Sequence, residues 1–257
     1  MAKWTAFPYD AADYTYDAAT LKKKWARLHA GDAEPLPKDD KLLAAWGLFH
    51  AGEFNQAAQA GLKLGGAGLN LANKAQCIHA NYLEKSEKTK LALFEEVAER
   101  AAAQAAAEPT NPGAWYWQAY ALGRYSQSIS VAKALAQGLG SKVKHALETA
   151  IKLEPKHADA HIALGTFHAE VIDKVGKLLG RTQGADTATG MKLFKDALKL
   201  NPSSAIARVE YANGLVMLEG DKRMAEAEKL YAEAAACPPL DAMERLDVEM
   251  AKSELED

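Results

Sequence analysis

Three histidines share one stretch at helical spacing: His157 and His161 lie one turn apart in "HADAH", and His168 lies two turns further on. Neighbouring imidazoles on a helix face can hold a metal when further donors complete the set. No third acidic ligand stands at a matching spacing, and His161 takes a position that a bulky packing residue normally fills. A pair constrains a metal weakly, so these read as core histidines. The glycine-rich "GLGSKVK" (138–144) leads into a helix, where backbone N–H groups and Lys142 could receive an anion. "GADTATGMK" (184–192) is similar to a phosphate loop but lacks the GKS or GKT ending and follows a helix rather than a strand. Both read as turn glycines. Acid–base or nucleophilic catalysis needs a reactive group with an oriented partner, and no such constellation emerges. The expectation is a non-enzymatic protein with no catalytic residues, no metal and no cofactor.

The bulk numbers narrow the classes further. The chain has 257 residues, 49% hydrophobic and 25% charged, which suits a globular protein and excludes general disorder. A net charge of -3 supplies no basic excess to collect phosphates, so nucleic acid is not an expected partner. "LKKKW" (21–25) is one local basic run, read as the solvated face of a helix. Cys77 and Cys237 have no CxxC partners, which argues against a zinc site or a disulfide framework. The start, "MAKWTAFPYDAADY", lacks the basic head and apolar run of a secretory signal, and charge breaks every apolar stretch short of a membrane span. A reducing cytoplasm is the expected location.

The elements that position any site are marked by prolines. "AAAEP", "IKLEP", "LKLNP" and "AAACPP" place Pro109, Pro155, Pro202 and Pro239 after helix-like tails, 46, 47 and 37 residues apart. Proline cannot continue a helix and disfavours helical geometry in the residue before it. Large and small residues alternate before each proline, as with Leu147 and Ala150, Phe194 and Ala197, Tyr231 and Ala234. Bulky-then-small pairs follow, as with Leu164 and Gly165, Tyr211 and Ala212. That spacing lets helix backbones pack closely.

Each separation is one 34-residue unit plus a remainder, and here the sequence resembles a tetratricopeptide repeat (TPR) protein, over roughly residues 41–239. The resemblance implies an all-α, TPR-like helical-hairpin solenoid, an α–α superhelix of about five repeats with three clear ones. Two early repeats are degenerate: "LLAAWGLFHAGEFNQAA" (42–58), and the stretched segment 73–104. Three regions are expected within one continuous structural domain: an aromatic-rich N-terminal segment with a capping helix (1–40), the repeats (41–240) and a C-terminal capping helix (241–257). Leu21, Trp25 and Leu28 place a helix over the first repeat; Met243, Leu246 and Met250 stripe the last helix, with Asp241 as its N-cap. Trp4, Phe7, Tyr9, Tyr14 and Tyr16 either pack on the end of the stack or enter the protein's own groove.

The extra 12 and 13 residues fall between the first and second helices of their units, at 125–143 and 171–190. Ile129, Ala132, Ala136 and Leu139 carry on the three–four spacing of the preceding helix, as do Val171, Val175 and Leu178. The spacing predicts two lengthened helices, stopping at Gly138 and Gly140 and at Gly180 and Gly184. Side by side they would wall off a cavity. The stretches 123–165 and 180–202 also resemble the TPR-like domain of the regulator of microtubule dynamics family, which has lengthened helices in its repeats. That resemblance implies an adaptor role, with lipid handling attributed to some members; a counterpart of the family's membrane anchor is not expected here.

TPR domains that grip acidic peptide tails use a lysine and asparagine clamp. The equivalent groove positions here are Tyr116, Tyr120 and Arg124, then Ile162, Thr166 and Glu170, then Val209, Asn213 and Met217. Only Asn213 is of clamp type. The mixed aromatic and aliphatic set suits an amphipathic guest, although Tyr116 and Ile162 could equally be packing residues. The leading expectation is an adaptor that binds a peptide or protein segment on its concave face. The alternative is a carrier of a small apolar ligand, a lipid or isoprenoid, under the two extended helices.

Overall fold

The computed structural model describes residues 4–256, and every regular element among them is helical. In chain order the helices are α1 (Ala18–Leu28), α2 (Asp40–His50), α3 (Phe54–Leu64), α4 (Gly68–Ile78) and α5 (Glu87–Ala107). There follow α6 (Pro112–Gln127), α7 (Val131–Ala136), α8 (Leu139–Leu153), α9 (Ala158–Thr182), α10 (Thr187–Leu200), α11 (Ala205–Glu219), α12 (Met224–Ala235) and α13 (Ala242–Glu254). The four prolines act as read: Pro109, Pro155, Pro202 and Pro239 each stand just past the end of α5, α8, α10 and α12. The next helix then starts on a polar cap. Asn111, His157 and Ser204 each accept a backbone N–H from the first turn of α6, α9 and α11. No helix among the described residues is long and apolar enough to cross a membrane.

The chain divides into two compact units. The first comprises the N-terminal segment to His29, Glu34–Leu153 and Leu240–Met243. Its centre is α4, on which ten residues are buried, among them Asn70, Asn73, Lys74 and Gln76. A row of partners from α5 makes this tolerable, because a buried polar group without a hydrogen bond costs about 1–3 kcal/mol. Arg100 donates to Asn73 at 2.7 Å and to Gln76 at 2.9 Å, while Gln104 donates to Asn70 at 2.9 Å and accepts from Asn73 at 3.1 Å. The Lys74 ammonium lies over the rings of Trp46 and Phe49, at 5.7 and 5.1 Å. Burial also pushes the Cys77 thiol up, so it stays protonated and unreactive.

The N-terminal aromatics lie against this unit. Trp4 stacks on His79 at 4.3 Å, Phe7 meets Phe54 edge-on, and Tyr14 is buried. Gly52, at φ +84° in the α2–α3 turn, leaves room for Phe7; a Cβ there would sit 2.8 Å from the Phe7 ring. The Tyr16 hydroxyl donates to the Leu240 carbonyl at 2.6 Å. Leu21, Trp25 and Leu28 of α1 are buried at the expected spacing. Below them His50 Nδ1 meets the Asp241 carboxylate at 2.8 Å, with both side chains almost fully enclosed.

His79 makes this N-terminal contact pH-sensitive. The Thr5 N–H donates to His79 Nε2 at 3.1 Å, so that nitrogen must be unprotonated. Burial holds the His79 pKa below its ordinary value, against an opposing pull from Glu84. A depressed pKa means the folded state prefers the neutral ring. The stabilisation is therefore fully present above the unfolded pKa of about 6.5 and is lost as pH falls towards the folded value. Acidification from neutrality is expected to loosen residues 4–7, read as increased amide exchange there; His79→Gln should flatten that pH dependence. Equal exchange at pH 7 and 5 in the parent protein would contradict this.

The second unit holds Ala30–Ala33, Glu154–Pro239 and Glu244–Asp257. It is built on two hairpins, α9–α10 and α11–α12, and α13 packs Val248, Ala251 and Met250 over Ala205, Val209 and Ala234. Its central residue is Phe194, fully buried on α10. The ring fits because the facing positions are glycines: a Cβ would lie 2.9 Å from it at Gly165 and 2.4 Å at Gly214. The small residues of α9 and α11 thus make room for the large one of α10.

Two expected features are corrected. No single helix runs from α6 to Gly138; α6 stops at Gln127 and a separate short α7 follows. Ser130 caps α7 through the Lys133 N–H, and α7 buries none of its residues, so no core contact holds a continuous helix together. In α9 the lengthening is present but interrupted at Gly176 (φ 79°, ψ 162°), earlier than the glycines expected to stop it. Beyond it, Gly180 packs against Ile172, where a Cβ would meet Ile172 Cγ1 at 3.2 Å.

Candidate functional site

The nine predicted groove residues divide between the two units, and their surroundings differ in kind. On α6 of the first unit, Tyr116 is buried and its ring lies 4.8 Å from Trp117. Tyr120 is half-buried one turn on, 5.5 Å from Trp117, and the Arg124 guanidinium sits over its ring at 5.4 Å. An aromatic ring with a stacked guanidinium on a partly exposed helix face is a preformed contact surface, since neither group must give up much side-chain freedom on binding.

In the second unit, α9 and α11 present the remaining six. Ile162 packs with Ala197 and Ala207, and Val209 lies under α13 at 2% exposure. Both are committed to the core. Thr166 donates to Glu210 of α11 at 3.1 Å, Glu170 pairs with Lys174 at 3.3 Å, and Asn213 accepts from the Tyr231 hydroxyl. Met217 packs at the edge of the cluster around Phe194. The half-exposed surface of this unit is therefore the polar row Thr166, Glu170 and Asn213 with the Met217 side chain beside it.

The histidines are occupied by backbone. His157 Nδ1 accepts the Ala160 N–H at 3.2 Å, His161 Nδ1 lies 3.0 Å from the His157 carbonyl, and His168 Nδ1 accepts the Asp186 N–H at 3.0 Å. The phosphate-loop-like stretch is likewise the start of α10, where the Asp186 carboxylate accepts the Thr189 N–H and hydroxyl, both at 2.8 Å. Those two bonds hold the Asp186 carboxyl below its usual range.

A cluster that the sequence does not single out lies in the second unit, where α9, α10 and the end of α11 border an open cleft of about 760 Å³. Six basic side chains line it: Lys177 and Arg181 from the end of α9, Lys192, Lys195 and Lys199 from α10, and Arg223. The signal was present in the three–four spacing of the α10 lysines, which puts them on one face. Lysines on an exposed helix face are ordinary; only the turn at Gly176 brings Lys177 and Arg181 to the same cleft.

A family model described as regulator of microtubule dynamics protein 1-3 matches residues 69–256. Among curated proteins none matches. Among solved structures, the chain is similar to a thermophilic TPR protein of Thermus thermophilus, with 18% identity and a TM-score of 0.58 over 83% of this chain and 98% of that one. At that identity the likeness shows the fold: an all-helical, TPR-like array of hairpins.

Proposed function

The chain belongs to the regulator of microtubule dynamics protein 1-3 family, and from that premise we propose that it is a non-catalytic adaptor that binds a peptide or protein segment on the exposed faces of its first helices. The observation that carries this reading is the Tyr120–Arg124 pair on α6. Tyrosine and arginine are the residue types that dominate interface energetics, and here the cation is already stacked on the ring. The second unit, taken by itself, offers in Thr166, Glu170, Asn213 and Met217 a polar row with one apolar contact, the composition of an ordinary interface rim. The adaptor acts in the cytoplasm and uses no cofactor.

Tyr120→Glu with Arg124→Glu tests it. Both side chains are partly exposed, so the fold is expected to persist, checked by an unchanged melting profile. Partners recovered on the parent protein and identified by mass spectrometry should fall at least tenfold on the double variant, about the loss expected for one hot-spot residue. An identical partner set on both would remove α6 from the site.

The carrier reading is supported by a separate observation. Val131 and Leu135 of α7 are exposed, and Leu178 and Leu179 at the end of α9 are 80% and 59% exposed. Single exposed apolar residues are normal, but a pair on an inserted segment is what a small apolar molecule would cover. Native mass spectrometry of freshly purified protein would show an added mass of a few hundred daltons, released by solvent; a clean apoprotein mass would leave the adaptor reading alone.

A further inference from the structure

We propose that the basic cleft of the second unit binds a soluble small molecule carrying two or more phosphate groups, a site independent of the adaptor surface. The cleft volume of about 760 Å³ falls within the range of roughly 300–1,000 Å³ typical of small-molecule sites. Six cationic side chains line it against three carboxylates, leaving a surplus of three positive charges in a chain whose net charge is -3. Each carboxylate is already engaged. Asp186 caps α10, Asp196 is held by Lys192 and Lys199, and Glu219 is held by Arg223. Lys177, Arg181 and Lys195 make no ion pair among the described residues.

Magnitudes select the charge of the ligand. An exposed ion pair is worth only about 0–1 kcal/mol, so one anionic group cannot hold in this cleft. Several anionic groups on one molecule engage several cations while losing overall freedom of motion only once. The helix geometry sets the length: Lys192 and Lys199 are seven residues apart on one face of α10, about 10 Å at 1.5 Å per residue, within reach of a di- or triphosphate. The N-terminal amide of Thr189 is already taken by Asp186, so side chains must supply the binding. Ile172 and Met191 form an apolar floor for the organic part of such a molecule. Gly176 completes the arrangement, since its left-handed φ turns the end of α9 so that Lys177 and Arg181 enter the wall.

The test is isothermal titration of the full chain with tripolyphosphate at low ionic strength, beside Arg181→Glu/Lys195→Glu and a control Lys63→Glu in the other unit. Saturable one-site binding is expected, weakened at least tenfold in the double variant, unchanged in the control, and reduced by added salt. Both mutated side chains are exposed, so melting should be unaffected; if the double variant nevertheless melts early, Arg181→Gln/Lys195→Gln serves in its place. Orthophosphate and sulfate should bind at least tenfold more weakly than tripolyphosphate. Anionic phospholipid vesicles and a phosphoserine peptide form separate arms. The proposal is overturned by absence of saturation at millimolar tripolyphosphate, by equal affinity in the double variant or for sulfate, or by binding confined to vesicles or peptide.

Discussion

Phe194→Ala is expected to destabilise the second unit by about 3–5 kcal/mol, the range for removing a large aromatic from a packed core. The ring is fully buried, stacks on Tyr211 at 5.5 Å, and lies against glycines of two other helices. Glycine has no side chain with which to collapse into the space, and the α9 and α11 backbones are held by their own hydrogen bonds. The cavity therefore stays largely open, which favours the upper half of that range. For a unit of this size the melting transition should fall by about ten degrees or more. The first unit should be little affected, so two transitions are expected where the parent shows them closer together. A shift of less than about 2 °C would mean that the helices close over the gap.

Asp241→Ala should cost the first unit about 3 kcal/mol or more. The carboxylate is 1% exposed and accepts from His50, which is itself fully buried. Around the imidazole stand Trp25, Trp46, Phe49 and His29, with ring centroids 5.2 to 6.4 Å away. No water can replace the acceptor there without opening that cage. Asp241→Asn retains a carbonyl oxygen for the Nδ1–H and should recover much of the loss. Chemical denaturation of the three proteins decides the matter: an alanine variant within about 1 kcal/mol of the parent, or an asparagine variant no better than alanine, would show that the contact stabilises nothing.

What could be read from the sequence is what acts locally. A proline ends its helix whatever surrounds it, and large residues alternating with small ones carry their packing meaning on one strip of chain, so the three later hairpins were legible from Pro109 to Pro239. The α4–α5 pair read only as a stretched repeat. Asn70, Asn73 and Gln76 are residues that a periodicity argument places on a surface, and their burial depends on Arg100 and Gln104, 24 to 34 residues away. The groove positions show the same limit. Tyr120 and Arg124 on α6 keep an exposed edge, whereas the first position of each triplet, Tyr116, Ile162 and Val209, is buried, Val209 beneath α13. Spacing identifies the strip of a helix, and the neighbour that covers it is a tertiary fact. The basic cleft is hidden from the sequence for a related reason, because Gly176 inside an apolar run reads as helix.

The pairing of His50 with Asp241, and of Tyr16 with Leu240, spans 191 and 224 positions. A protein is made from its N-terminus, and arrays of helical hairpins can usually fold in order as each hairpin emerges, since every repeat needs only its neighbour. Here the first unit contains Leu240–Met243, so it lacks part of its own interior until residue 243 has been translated. Until then the His50 imidazole and its aromatic surroundings wait uncovered, while all the hairpin sequence of the second unit has already been made. The unit begun first is thus completed only after both hairpins of the second have been made.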